Sequence, residues 1–396
     1  MTSKKYKSAF KDILSFEGFI LCGYQKYEDS IEFSFRRTRE CGTCPECNKG
    51  KRRLIERFQR KVRDLDIGNK KSFLNLEVCR IYCSCGYRGM EKIDFLDKWE
   101  RHTTRFADLV SMLCKIMSIK DAAGFSKIDW KTAKRIDKEK LQSLVKGLDG
   151  INPISIGIDE IAYEKGHKYL TIVRDLDGGV IWIGLGRKKE TLDKFFLELG
   201  KEKSSKIKVV VMDMWDPYNA SVSENTCANI VFDKFHIAKK INEALDNIRK
   251  KEFAKADKEE RIEMKHKRFL ILARKNNLNR KKKEELKALM EQNITLYKAY
   301  LLKEQILDIF SECTEENALK RILRWIKNVE KSGLDEFQTA IKIIQRYFYG
   351  IINYFRYRIT NAGSEGFNTK INIIKRRAYG FRDIEYFMLK ILQSCG

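Results

Sequence analysis

The sequence predicts a modular α/β protein: a core built on one mixed sheet, interrupted by a long all-helical stretch and preceded by two small modules. Three observations carry that prediction. Six of the eleven cysteines fall between residues 41 and 85. Strand-length apolar runs fill residues 153–233, and from 234 to about 357 apolar residues recur at helical spacing without a strand-like run. A chain of 396 residues also exceeds one compact core, so two to four domains are expected.

Residues 1–95 hold the cysteines among short β-rich runs, SIEFSFRR and SFLNLEVCRIYC, with the basic stretch NKGKRRLIERFQRKVRDL between them. A disulfide scaffold would be short and would spread its cysteines evenly; clustering points to a metal. Cys44 and Cys47 form one Cys-x-x-Cys knuckle and Cys83 with Cys85 a second close pair, a set suited to tetrahedral Zn²⁺. Cys41 and Cys79 are alternatives, because Cys41 also makes a Cys-x-x-Cys pair with Cys44 and Cys79 could pair with Cys83. Residues 96–150 turn helical. HTTRFADLVSMLCKIMS has helical spacing, and SIKDAAGFSKIDWKTAKRIDKEKLQ reads as two short helices around Gly124, a helix-turn-helix outline.

Between residues 151 and 238, PISIGIDEIAYE, HKYLTIVRDL and GGVIWIGLG read as three successive strands, the last two joined by a turn at Asp177, Gly178 and Gly179. KETLDKFFLELG is helical, KIKVVVMDM a strand, and a helix-compatible stretch leads to the strand NIVFD. The order βββαβαβ points to a ribonuclease-H-like sheet. Residues 239–357 are read as a helical insertion, whose long helices suit a chain with three prolines, and residues 358–396 return to the core.

Eighty Lys and Arg against 55 Asp and Glu leave a net charge of +25, which favours a polyanionic partner, nucleic acid first. The start, MTSKKYKSAFKDILSFEGF, is charged throughout, so neither a signal peptide nor a membrane span is expected, and the protein should be cytoplasmic and nucleoid-associated. Lys51, Arg52, Arg53, Arg57, Arg60, Lys61 and Arg63 flank the knuckles, and Lys127, Trp130, Lys131, Lys134 and Arg135 lie on the candidate recognition helix. Phosphate contacts from such residues would dominate affinity and make it salt-sensitive.

Three acids stand in segments suited to a metal-bound carboxylate: Asp159 in ISIGIDEIAYEK, Asp213 in IKVVVMDMWDPY and Glu365 in NAGSEGFNTKINIIKRRAYGF. Displacement at a phosphodiester needs an activated nucleophile and a neutralised leaving oxygen, and two hard divalent ions held by carboxylates provide both. Asp159 on the first strand and Asp213 at the end of the fourth would lie side by side on a parallel pair. Glu365 should follow a turn-prone run at 361–364 and open a helix whose Lys370, Lys375, Arg376 and Arg377 could hold phosphate. Glu160 and Asp216 are plausible substitutes, although strand alternation turns Glu160 away from Asp159. Asp233 and His236, in VFDKFHIAKK, are read as supporting groups that hydrogen-bond or contact phosphate.

The blocks GIDEIAYEKGHKYLTIVRDLDGGVIWIG, VVVMDMWDPYNASV, NIVFDKFHIAKKINEALDNIRK and TNAGSEGFNTKINIIKRRAYGFRD, in this order after a cysteine-rich start, resemble the ISL3 family of insertion-sequence transposases along nearly the whole chain. The resemblance implies a DDE transposase with a ribonuclease-H-like core, an all-helical insertion before the last acid, and two catalytic Mg²⁺ or Mn²⁺ ions. Asp159, Asp213 and Glu365 occupy its DDE positions. It implies further that the zinc-binding and helix-turn-helix modules recognise terminal inverted repeats in double-stranded DNA before cut-and-paste transfer to target DNA, and bringing two ends together requires at least a homodimer. The single residue between Cys83 and Cys85 is tighter than the family spacing. A transposase-derived DNA-binding regulator and a structure-selective nuclease are the competing expectations. The intact triad weighs against the first, and the two recognition modules against the second.

Overall fold

The computed structural model describes residues 14–48, 51–145, 147–164 and 166–396, without the side chains of Glu312, Ala362, Ser364 and Glu365. The chain divides into two compact units, Met1–Val145 with Ile374–Lys390, and Lys146–Ile373 with Ile391–Gly396.

The first unit opens on a five-stranded sheet of β1 (Phe19–Lys26), β2 (Ser30–Arg37), β3 (Arg52–Ile67), β4 (Lys70–Cys83) and β5 (Arg88–Met90). Its order is β1-β2-β4-β3 with β5 paired to β4; β2 and β4 run parallel and the other pairs antiparallel. The basic stretch between the two expected strands is itself the longest strand, β3. Its first half is largely solvent-exposed, so Arg, Lys and Gln replace the apolar half of the alternation that marks a strand in sequence. β4 supplies the buried face with Leu74, Leu76 and Val78.

Helices α1 (Thr104–Ile116), α2 (Ile119–Ser126) and α3 (Trp130–Leu144) follow. Thr103, Ser118 and Asp129 each accept a first-turn amide in their side chains, which starts each helix at its place. Gly124 lies inside α2 and is not the turn that was expected. The break comes at Lys127, whose φ of 53° is left-handed and whose amide closes on the carbonyls of Ala123 and Gly124. Ala122, Ala123 and Ala133 let the helices approach closely around Phe106, Val110 and Ile136. Asp137 on α3 is fully buried, and it accepts from Ser111 Oγ at 2.7 Å, the Tyr386 hydroxyl at 2.5 Å and Lys390 Nζ at 3.0 Å.

The second unit holds β6 (Ser155–Glu164), β7 (Lys168–Asp175), β8 (Val180–Leu185), β9 (Val209–Met212) and β10 (Asn229–Phe232) in the order β10-β9-β6-β7-β8. β6, β7 and β8 form an antiparallel meander, while β6, β9 and β10 run parallel. Helices α4 (Lys189–Leu199), α5 (Lys201–Lys206) and α6 (Asp216–Asn225) connect these strands. Leu192, Phe195, Phe196, Tyr218 and Val222 from α4 and α6 pack with Ile156, Ile158, Val210 and Met212. Val209, Val211 and Val231 belong to the larger core that the later helices complete. β9 is therefore covered on both faces, which explains its uninterrupted VVVM.

Between β10 and residue 357 every regular element among the described residues is helical: α7 (Lys234–Lys255), α8 (Lys258–Met264), α9 (Arg268–Leu272), α10 (Arg280–Gln292), α11 (Ile294–Glu312), α12 (Glu315–Ser332), α13 (Gln338–Arg346) and α14 (Phe348–Tyr357), with short 3₁₀ turns. α14 brings the chain back to the sheet. A Cβ on Gly350 would stand 2.4 Å from the Phe232 ring, so only glycine permits this approach, and Asn353 Nδ2 donates to the Ile230 carbonyl at 2.8 Å. Helices α15 (Ala362–Arg377) and α16 (Ile384–Cys395) end the chain. Among the described residues no helix is long and apolar enough to cross a membrane.

Candidate active site and metal centre

Asp159 is on β6 and Asp213 is the first residue beyond β9. The parallel pairs Ser155↔Val209 and Gly157↔Val211, continued by two residues, bring Asp159 opposite Asp213. Asp233 stands in the same position beyond β10. Asp213 and Asp233 therefore stand just past the carboxyl ends of β9 and β10, and Asp159 stands midway along β6, two residues beyond the last pair of its parallel ladder with β9, at the end of the parallel strands where α/β sheets bind ligands. Asp233 caps α7, accepting the Phe235 amide at 2.9 Å, and His236 on that helix lies with Nε2 2.8 Å from Asp213 Oδ2. Asp159 accepts the Glu160 amide at 2.8 Å on one oxygen and Asn368 Nδ2 at 2.7 Å on the other.

Burial is the main cause that pushes the Asp159 carboxyl up to about 6, and the nearby Asp213 charge adds to it; the bonds from the Glu160 amide and Asn368 act the other way. Burial also raises Asp233, again with Asp213 adding. The bond to Asp213 raises His236, against the effect of burial. Crowded, partly desolvated carboxylates of this kind favour a bound cation. Among the described residues no three acids or histidines here come within 4.8 Å of one another.

Glu365 lies on α15, and its side chain is outside the described residues. The run 361–364 was expected as a turn ahead of the helix, but the helix begins at Ala362. Asn361 is anchored just before it, accepting from Arg174 Nη2 at 2.8 Å and donating to the Ile158 carbonyl at 3.5 Å. Arg174 is itself buried, and a Cβ on Gly157 or Gly363 would stand 2.9 Å from its Nε or 2.8 Å from its Nη1. Two glycines thus leave the channel in which one guanidinium joins β7 to the start of α15. Glu160 accepts from Arg187 at 3.3 Å, and Asp216 is held by Arg346 and the Tyr347 hydroxyl. Asn368, Arg174 and Arg187 were not singled out in the sequence, and Asn361 was read there only as the start of a turn-prone run. The only signal there was the asparagine at each side of Glu365 in NAGSEGFN.

The sulfurs of Cys44, Cys47, Cys83 and Cys85 all lie within 4.8 Å of one another, with 3.7 Å between Cys44 and Cys85 and 3.5 Å between Cys47 and Cys83. Zn–S bonds of about 2.3 Å at tetrahedral angles put sulfurs roughly 3.8 Å apart, so the set fits zinc. The tight second pair follows from its place: Cys83 ends β4 and Cys85 sits in the turn to β5, where Gly86 at φ 94° reverses the chain. Cys41 and Cys79 stay outside. Cys79 lies four residues up β4 with Sγ 3.7 Å from the Glu40 carbonyl, and burial pushes its thiol up to about 11.

The expected phosphate-binding cations divide into free and engaged groups. Lys51, Arg52 and Arg53 are exposed beside the knuckles, where the Lys51 carbonyl accepts the Ser84 amide. Arg57 pairs with Glu77, Lys61 with Glu32, and Arg60 bonds the Glu100 carbonyl. Arg63 is corrected: it is buried, with its guanidinium 4.8 Å from the Phe106 ring centre and bonded to Asp66, because α1 covers that end of β3. On the helix-turn-helix, Lys127 is tied to Asp66, Lys134 to Asp383 and Arg135 to Glu100 and Glu139. Lys131, beside the exposed Trp130, has no carboxylate partner among the described residues. Lys370 bonds the Ser394 carbonyl and Arg377 the Lys115 carbonyl, Lys375 is half-buried, and Arg376 is exposed.

Comparison with known proteins covers both units. A transposase family model matches residues 156–391, that of the helix-turn-helix domain of transposase family ISL3 matches 91–139, and that of the zinc-finger of transposase IS204/IS1001/IS1096/IS1165 matches 41–85. The transposase for insertion sequence element IS1001 of Bordetella parapertussis is 32% identical over 354 residues, 88% of this chain and 87% of its own length. The transposase for insertion sequence element IS1557 of Mycobacterium tuberculosis is 28% identical over 315 residues, 73% of this chain and 70% of its own.

Proposed function

The chain belongs to the ISL3 family of insertion-sequence transposases, and from that premise we propose that it binds the terminal inverted repeats of its element and catalyses metal-dependent DNA cleavage and strand transfer. The observation that carries this reading is the register that sets Asp159 opposite Asp213, with α15 bonded to Asp159 through Asn368. The meander followed by two parallel strands supports a ribonuclease-H-like core at 151–238 and 358–396, with 239–357 as its helical insertion. Residues 1–95 and 96–150 are then the zinc-binding and helix-turn-helix DNA-recognition domains, acting in a soluble, nucleoid-associated protein.

Two Mg²⁺ or Mn²⁺ ions, held by Asp159, Asp213 and Glu365, supply nucleophile activation and charge neutralisation at the leaving oxygen when bound. The chain's own groups prepare that site. Asn368 and the Glu160 amide hold the Asp159 carboxylate from both oxygens, and His236 Nε2 pairs with Asp213 Oδ2 and orients that carboxylate. Zinc on Cys44, Cys47, Cys83 and Cys85 staples the loop after β2 to the β4–β5 turn. Among the cations expected to meet DNA, Lys51, Arg52, Arg53, Lys131 and Arg376 are exposed with no carboxylate partner among the described residues, which leaves them available to phosphate. Two ends must meet for cut-and-paste transfer, so the working form is at least a dimer.

The test supplies DNA bearing the element's ends with Mg²⁺ to wild type and to Asp159→Ala, Asp213→Ala and Glu365→Ala. Cleavage should vanish in all three while end binding persists. Cleavage that survives all three substitutions sinks the assignment.

A further inference from the structure

Next to the carboxylates the second unit has a cavity of about 680 Å³, lined chiefly by His167, Tyr169, Leu185, Arg187, Lys188 and Trp215. It is joined to the acids on two sides. The Trp215 amide donates to the Asp213 carbonyl at 2.8 Å, and Arg187 donates to Glu160, the neighbour of Asp159. The wall is braced: Trp215 Nε1 donates to the Arg187 carbonyl at 3.1 Å, and the Arg187 guanidinium lies 4.1 Å from the Tyr169 ring centre and 5.0 Å from that of Trp215. Leu185 is left 60% exposed at its edge, and Lys188 is exposed with no carboxylate partner among the described residues.

Glu190 also stands on the lining, but the aromatic rings, the exposed leucine, the Arg187 guanidinium and the unpaired Lys188 together suit a ligand with a flat apolar face and a negative group. The volume falls in the about 300–1,000 Å³ range of small-ligand pockets. A single unstacked nucleotide fits that description. We propose that this cavity takes one unpaired nucleotide of the DNA end being processed, with its base on the wall of Trp215 and Tyr169 and its phosphate at Arg187 and Lys188. The inference rests on the reading that the neighbouring carboxylates act on DNA. Seating that nucleotide fixes the strand beside Asp159 and Asp213 and selects frayed ends over paired ones.

The experiment uses the full chain and end oligonucleotides carrying 2-aminopurine at the terminal nucleotide, either paired or frayed, with fluorescence, binding and cleavage read on the same samples. Wild type should quench the frayed probe. Trp215→Ala should remove the quenching and weaken frayed-end binding about tenfold, the scale of one lost base–aromatic stack. Trp215→Phe should restore both, and Lys188→Glu, on an exposed side chain, should weaken frayed-end binding without changing the melting temperature. Unquenched fluorescence with bound wild type, or unchanged frayed-end binding by Trp215→Ala, overturns the proposal. Reversal of quenching by free deoxynucleoside monophosphate at equimolar amounts also overturns it, by assigning the cavity to a free nucleotide. Quenching without cleavage keeps the pocket and removes the catalytic reading; cleavage without quenching does the reverse.

Discussion

Asn368 donates to Asp159 from one turn beyond Glu365, and that bond favours the charged carboxylate. Asn368→Ala should therefore move the acidic limb of the cleavage pH profile to higher pH and slow cleavage about tenfold at neutral pH, as expected for one lost charge-assisted bond of about 1.5 kcal/mol. An unchanged limb would leave Asn368 with a packing role only. The raised Asp159 also has a stability consequence. From its ordinary 3.8 to about 6 the folded protein holds a proton there that the unfolded chain has lost, so this contribution is present below about pH 4 and is lost as pH rises through 6. Without metal, Asp159→Asn should melt higher than wild type at pH 7 and no higher at pH 3.5, as followed by thermal unfolding. Excess Mg²⁺ should narrow the neutral-pH gap. The two aspartates were legible in the sequence because each ends or interrupts an apolar run. Asn368 was not, because nothing local says which residue of a helix will meet a strand some two hundred positions earlier.

The zinc ribbon and the helix-turn-helix make separable predictions at the level of elements. Cys85→Ser should lower bound zinc and unfold the β4–β5 end, whereas Cys41→Ser and Cys79→Ser should keep one zinc per chain by metal analysis. Six cysteines in forty-five residues announced the metal, but spacing left the ligands open, because Cys41 and Cys79 differ from the others only in where β4 and its turn put them. On the helix-turn-helix, Lys131→Ala should weaken end binding and reduce the slope of log affinity against log salt by about 1, and Lys134→Ala, whose ammonium is committed to Asp383, should leave that slope unchanged. A run of lysines reads alike in sequence, and only the neighbouring carboxylates separate these two. β3 shows the same limit in a strand: its exposed half has no apolar alternation to detect, and it forms because β4 pairs along nearly its full length.

A buried polar contact of the first unit joins distant parts of the chain. Asp137 on α3, fully buried, meets Tyr386 and Lys390, about 250 residues later, both buried. Asp137→Ala would strand a buried ammonium and should cost about 3–5 kcal/mol, measured by denaturant unfolding of the full chain. A loss under about 1 kcal/mol would show that the pair adds little. Charge is the other whole-molecule property. A net +25 makes weak DNA association salt-dependent, and the recognition modules must supply selectivity above it.

By itself the sequence determined the strands of the core and their order, the two small modules and their order along the chain, and the placing of Asp159 and Asp213 on neighbouring strands, because burial periodicity and metal-ligand spacing are written into neighbouring residues. Tertiary structure alone decided which four of six thiols converge, why Gly157 and Gly363 flank Arg174, and which cations lack a carboxylate partner among the described residues. It also joined α15 to Asp159 and put an aromatic cavity beside the acids. These depend on contacts between residues far apart in the chain, and such contacts exist only once the sheet and helices have packed.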